Sequence, residues 1–206
     1  ENAVLPPMSD LKTAAAHADI NKVIIDEKAS TVYLSDPKMS LDVGAIGKGY
    51  ATEQVCQLAM AKGYKSGLLS VGGNVRAIGD KGVNNELWNV GIQNPDKDSK
   101  DKTLGVVLLK NMSLVTSGIY ERYYTVNGKN YHHIIDPKTL MPSTYYKAVT
   151  ILCPDSGMAD ALSTAVFNMS YEDGLKLIST MPNTEVLWVF LDGEMKYSPH
   201  FKDYLK

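Results

Sequence analysis

The chain has 206 residues, 44% apolar and 21% charged, which is enough to bury a core and excludes a disordered chain. Its 21 Lys and Arg against 23 Asp and Glu leave a formal charge of −2, so no basic field is available to hold a nucleic-acid backbone. Two cysteines, Cys56 and Cys153, are too few for a disulfide scaffold or a Cys-based zinc site, and no apolar run approaches the ~20 residues that span a bilayer. The chain opens on Glu1, with neither Met nor a signal-peptide pattern, and is expected to be a processed chain or one whose N-terminal part is missing.

Ser9 predicts an N-cap for a short Ala-rich helix over 10–18. Strands are expected at 22–26, 31–34 and 39–42, with Asp36-Pro37 as the turn between the last two. Residues 44–62 read as a loop entering a helix, with Tyr50, Val55, Leu58, Ala59 and Ala61 at helical spacing and Gly63 as its stop. A buried strand at 66–71 ends in Gly72-Gly73-Asn74, and strands at 75–78 and 88–92 follow across a polar turn. A solvated charged loop at 96–102 precedes strands at 104–109 and 114–115. Asn127-Gly128 predicts a hairpin within 123–131. A strand at 148–152, helices at 158–167 and 171–179, and a hairpin of 185–191 with 195–197 across Asp192-Gly193 complete the chain. Short turns between most strands make the class α+β, a mostly antiparallel sheet with three or four helices, rather than a doubly wound sheet.

Four segments could carry chemistry. The first, Asp42-Val43-Gly44-Ala45-Ile46-Gly47-Lys48-Gly49-Tyr50, places a lysine among glycines just before a helix. Such a loop lets backbone approach an anion, although its spacing is neither that of a P-loop nor G-x-G-x-x-G. The second, Gly72-Gly73-Asn74, reads first as a bulge or tight turn, and in the functional reading its absent side chains leave room for a flat ligand or a phosphate. In the third, Thr116-Ser117-Gly118-Ile119-Tyr120-Glu121-Arg122 precedes Tyr131-His132-His133-Ile134-Ile135-Asp136-Pro137. Adjacent histidines on a strand face opposite ways, so at most one looks into a site, and His133 shares its face with Ile135. In the fourth, Asp160 and Thr164 lie four apart on one helix face, a carboxylate and a hydroxyl that suit Mg²⁺ when backbone and phosphate oxygens complete the shell. Read singly, each segment is also an ordinary turn, a solvated side chain or a self-bonded hydroxyl.

In this order the segments resemble the ApbE family, the FAD:protein FMN transferases. The resemblance covers about Leu41 to Phe167 and rests on Asp-x-Gly-x-Ile-x-Lys-Gly-Tyr, Gly-Gly-Asn, Thr-Ser-Gly-x-Tyr-Glu-Arg, His-Ile-Ile-Asp-Pro and Ala-Asp-x-Leu-Ser-Thr-Ala. It implies an ApbE/T-fold-like domain over 1–206 that lacks the usual N-terminal portion. It implies Mg²⁺ held by Asp160, Thr164 and the carbonyl of Gly47, with FAD as substrate. Lys48, Glu53, Gly72, Gly73, Asn74, Ser117, Gly118, His133 and Ile135 would line the FAD site. The catalytic residues would be Asp160 and His133, the latter as base, with Asp136 to orient or replace it. The implied reaction transfers FMN from FAD to a Thr or Ser hydroxyl of an acceptor flavoprotein and releases AMP. FAD hydrolysis to FMN and AMP, or flavin binding without turnover, are the alternatives. The resemblance also implies an extracytoplasmic protein anchored to the membrane through an N-terminal lipoprotein segment; oligomeric state stays open. Two positions depart from the family pattern. Gly47 stands where Ala is usual, and Leu140 where Gly is usual, so the turn at Leu140 is expected to differ.

Overall fold

The computed structural model describes residues 3–82, 84–120 and 122–206. Helix α1 (Met8–Ala15) begins before the expected Ser9 cap. Pro7 is its N-cap, with φ −59°, and no side-chain cap bond forms. The proline ring, already set near the helical φ, starts the helix in place of a hydroxyl. Ser9 lies inside the first turn, bonded to Asp10. Strands β1 (Val23–Asp26) and β2 (Thr31–Leu34) form an isolated antiparallel pair. The strand expected at 39–42 does not form. A strand needs a ladder partner, and no strand lies beside this run.

Helix α2 (Gly47–Ala61) ends just before Gly63, as its sequence predicts. Strands β3 (Gly67–Val71) and β4 (Asn74–Ile78) are joined by Gly72-Gly73 alone, at φ +50° and +93°. A two-residue hairpin turn of this hand needs positive φ at both central positions, so the glycine pair is the turn itself. Strands β5 (Trp88–Gln93) and β6 (Thr103–Leu109) make a separate ribbon. Strand β7 (Ser113–Gly118) includes Thr116, Ser117 and Gly118; Glu121, in the same segment, lies outside the described residues. Strands β8 (Tyr123–Val126) and β9 (Lys129–His132) close across Asn127-Gly128 as expected.

A small hairpin that the sequence reading missed follows, β10 (Ile135–Asp136) with β11 (Met141–Pro142). Its connection ends at Leu140, φ +59°, whose N–H donates to the Asp136 carbonyl at 2.8 Å. The turn is therefore closed in the left-handed region despite the leucine, which strains a branched side chain by about 1–2 kcal/mol relative to glycine. Strand β12 (Tyr146–Cys153), helices α3 (Ser156–Phe167) and α4 (Tyr171–Ser179), and strands β13 (Glu185–Phe190) and β14 (Met195–Tyr197) complete the fold.

Six strands make one antiparallel sheet in the order β14-β13-β12-β7-β4-β3. Alternate side chains feed two cores. On one face Val115, Val149, Ile151, Val186 and Trp188 pack against Ala159, Leu162 and Val166 of α3 and Ile178 of α4. On the other, Ala77, Leu114, Ala148, Leu152 and Leu187 pack against Val90, Ile92, Val107 and Leu109 of the β5–β6 ribbon and against Phe201. The result is three layers: ribbon, sheet, helices. Strand β12 is covered on both sides and is buried at all but one position. By contrast, no residue from 3 to 48 is buried. Among the described residues no helix is long and apolar enough to cross a membrane.

The β8–β9 hairpin is tied to this body through His132. Its Nε2–H donates to the Ser143 carbonyl at 2.8 Å, its Nδ1 accepts from the Ile134 N–H at 3.3 Å, and its ring meets Phe167 edge-on. Both ring nitrogens are thus satisfied by the neutral imidazole. Burial, partly countered by the Ser143 carbonyl, holds its pKa below the ordinary histidine value. The unfolded chain therefore takes up this proton first as the pH falls below about 6.5, and the folded state loses stability. Urea midpoints at pH 7.5 and 5.0 should show a smaller drop for His132→Gln than for the unsubstituted protein.

Candidate active site

The N-terminal halves of α2 and α3 meet at Gly49. A Cβ there would collide with the Ser156 carbonyl oxygen and lie 2.5 Å from Asp160 Cβ. Only hydrogen fits, and the two helix backbones close on each other as a result. That approach lets the buried Asp160 accept the Gly49 N–H on Oδ2 at 2.8 Å. An N–H at a helix start has no ladder acceptor, and the carboxylate supplies one at the positive end of the helix dipole. Asp160 Oδ1 makes no hydrogen bond among the described residues. Thr164, one turn later and half-buried, points to the same side, its Oγ1 3.5 Å from Ser117 Oγ.

Neighbouring segments join this point. Lys48 is exposed, and its Nζ donates to the Gly72 carbonyl at 3.0 Å, latching the start of α2 to the β3–β4 turn. The Gly73 carbonyl accepts from Thr116 N at 3.4 Å. Ser163 donates to the Asp160 carbonyl at 2.8 Å, which uses its only proton, so the 2.7 Å contact with Ser117 is donated by Ser117. Strand β7, the β3–β4 turn, α2 and α3 therefore converge, and Gly47, Lys48, Gly72, Gly73, Ser117, Asp160 and Thr164 share one region. Gly47 is the first residue of α2. Its carbonyl points along the helix into the ladder, which leaves one lone pair for another ligand.

Three residues expected at the FAD site are buried. Glu53 is 3% exposed, and its carboxylate is engaged by partners within the protein. Its carboxylate accepts Arg76 Nε at 2.8 Å, the Ser156 N–H at 2.9 Å and Gln57 Nε2 at 2.6 Å. Burial raises its pKa, but the Arg76, Ser156 and Gln57 hydrogen bonds and the guanidinium charge outweigh this, and the net shift is downward. Asn74 is wholly buried, and its amide has no hydrogen-bond partner among the described residues. Gly118 is buried beneath the Tyr120 ring. The sequence reading missed Arg76 altogether. The available signal was a lone guanidinium among apolar neighbours on a strand, a charge that burial permits only beside a carboxylate.

His133 and Ile135 belong to a second cluster. They line a cavity of about 390 Å³ with Arg122, Tyr124, Tyr131 and Leu140. Adjacent His132 also borders this cavity but is buried with its ring against Phe167, and because β9 ends at His132 strand alternation does not separate the two histidines. His133 Nδ1 lies 3.1 Å from the Arg122 carbonyl, which can only accept, so Nδ1 carries the proton and Nε2 is the basic nitrogen. Asp136 does not orient it. Its carboxylate accepts the Lys138 N–H at 2.8 Å and closes the β10–β11 turn. Helix α3 joins the two clusters, Asp160 near its start and Phe167, against His132, at its end, ~10 Å apart along the axis.

The sequence matches the ApbE family profile over residues 1–188. It is 36% identical over 216 residues to the FAD:protein FMN transferase of Treponema pallidum, covering 98% of this chain and 59% of that protein. A Klebsiella pneumoniae relative of the same name is 31% identical, with 90% of this chain and 56% of the relative covered. The crystal structure of the ApbE protein from Thermotoga maritima superposes with TM-score 0.88 at 33% identity, over 98% of this chain and 65% of that one. The apo flavinyl transferase ApbE of Pseudomonas stutzeri gives 0.80 at 26%, over 98% and 62%. The chain thus spans less than two thirds of the length of these relatives.

The geometry predicts two stability effects. Gly49→Ala must push α2 from α3, at a cost of about 1–3 kcal/mol. Glu53→Ala strands the buried guanidinium and should cost about 3–5 kcal/mol, whereas Glu53→Leu combined with Arg76→Met should recover most of that loss. Urea unfolding of the three variants checks both.

Proposed function

The chain belongs to the ApbE family, and from that membership we propose that it transfers the FMN part of FAD to a Thr or Ser hydroxyl of an acceptor flavoprotein. The observation that carries this reading is the Asp160 to Gly49 contact, which brings the carboxylate–hydroxyl pair of α3 beside the glycine-bordered lysine of α2. The names of the relatives, FAD:protein FMN transferase, support the reaction class.

The residues fit a magnesium ion. Among the described residues no group of three His, Cys, Asp or Glu that could hold a metal stands together. The donors are hard oxygens instead: the unpartnered Oδ1 of Asp160, the Thr164 hydroxyl and the Gly47 carbonyl. Such a partial set suits a cation that keeps waters and takes phosphate oxygens into its shell. Bound there, Mg²⁺ would offset negative charge on the pyrophosphate.

The protein's own residues do the rest by position. Lys48 can leave the Gly72 carbonyl and place its ammonium on a phosphate oxygen, where it opposes the charge that builds as the phosphorus–oxygen bond breaks. The aromatic and apolar cavity beside His133 accepts a flat ring system. An alcohol at neutral pH is a weak nucleophile, and His133 Nε2 can take its proton as the oxygen attacks the phosphorus on the FMN side. The bond from that phosphorus to the AMP oxygen breaks, AMP leaves, and FMN remains attached to the acceptor through a phosphoester. The buried Asp160 and the Ser117–Ser163 chain hold α3 still against β7 while this occurs.

Incubation with FAD, Mg²⁺ and an acceptor domain bearing a free acceptor threonine should yield covalent flavin fluorescence on a denaturing gel. Chelation of the metal or Asp160→Ala should abolish it. His133→Ala should slow it by about 10²–10⁴-fold. AMP release that needs no acceptor would instead show a hydrolase, and flavin binding without AMP release would show a binding protein.

A further inference from the structure

Leu140 combines two facts that neither the fold nor the proposed chemistry requires. It sits at φ +59°, a conformation a leucine adopts only under strain. It is also half-buried in the wall of the cavity that holds His133 and Ile135. The turn itself has no use for the side chain. Its closure is made by backbone, the Leu140 N–H on the Asp136 carbonyl, and by the Asp136 carboxylate on the Lys138 N–H. Glycine would make the same closure without strain. Strain kept at a cavity wall points to what the side chain does there.

We propose that Leu140 is a specificity-determining residue of this site, its isobutyl group forming an apolar wall against the ring system of the flavin. The inference rests on the reading of the site as FAD-using. The cavity chemistry supports a planar, polar-edged ring. Tyr124 and Tyr131 stack at 5.9 Å, Ile135 and Leu140 add aliphatic surface, and Arg122 and His133 bring polar groups. Its volume of about 390 Å³ admits a fused ring system. Leu140 acts on the ring and not on the nucleotide half of the substrate, because the cavity includes none of Lys48, Asp160 or Thr164.

Two substitutions separate side chain from backbone. Leu140→Ala removes the wall and keeps the strain, since alanine is also disfavoured at this φ; Leu140→Gly removes both. In the protein as its gene encodes it, FAD and ADP affinities and melting temperature are measured for each. FAD should bind roughly tenfold more weakly to both variants, ADP should be unaffected, and only Leu140→Gly should melt higher than the unsubstituted protein. Unchanged FAD affinity in the variants, or an equal loss for ADP, overturns the role of Leu140 and leaves the proposed function standing. Failure of the unsubstituted protein to bind FAD overturns both. Lower melting of Leu140→Gly than of Leu140→Ala would show that the backbone is not strained and would also overturn the inference.

Discussion

A single hydrogen bond, from the Gly49 amide to the Asp160 carboxylate, joins residues 111 positions apart, and the candidate site hangs from it. It exists because Gly49 has no side chain and the Ser156 carbonyl can come up against its Cα. The bond settles both groups at once. It gives an orphan helix N–H its acceptor, it satisfies one oxygen of a buried carboxylate, and it leaves the other oxygen without a hydrogen bond among the described residues. A residue that must be buried for positioning and partly free for chemistry needs such a division of its two oxygens.

Behind this contact stands the Glu53–Arg76 pair. Its members come from α2 and β4, and its third partner, the Ser156 N–H, belongs to the first turn of α3. The pair therefore fixes the same two helices that Gly49 brings together, from below, against the sheet. A buried ion pair adds little net stability relative to apolar packing, yet it is unforgiving about geometry. We read it as the element that sets the register of α2 over β4. The apolar core under α3 and α4, centred on Val149, Ile151 and Trp188, supplies the stability that the polar corner does not.

The parts legible in the sequence were those decided by neighbours in the chain. Thr31–Leu34, Tyr171–Ser179 and the Asn127-Gly128 hairpin match their expected positions, since alternation, a Ser170 cap and a turn dipeptide act locally. The region uniting Lys48, the Gly72-Gly73 turn, Ser117, Asp160 and Thr164 was legible as motifs, and their order along the chain carried the resemblance. The misreadings came from competition over distance. Ser9 is a good cap residue, but Pro7 reaches the helix start first. Residues 39–42 look strand-like and find no partner. Glu53, which the resemblance sets at the FAD site, has its carboxylate held by Arg76, 23 positions on. No local pattern announces that Leu140 will take up a left-handed backbone, because the turn is set by its pairing across β10 and β11.

Residues 3–41, ahead of the glycine-bordered lysine, differ in kind from the rest. They contribute nothing to either core, and α1 is linked to the β1–β2 pair by a small charge cluster in which Asp36 accepts both His17 and Lys22 at 2.9 Å. No residue of this arm is buried, so its opening is set apart from the cooperative transition that governs the sheet. Its Leu5, Pro6 and Leu11 nevertheless line the cavity that holds His133, so a change in this arm reaches the proposed ring site without touching either core.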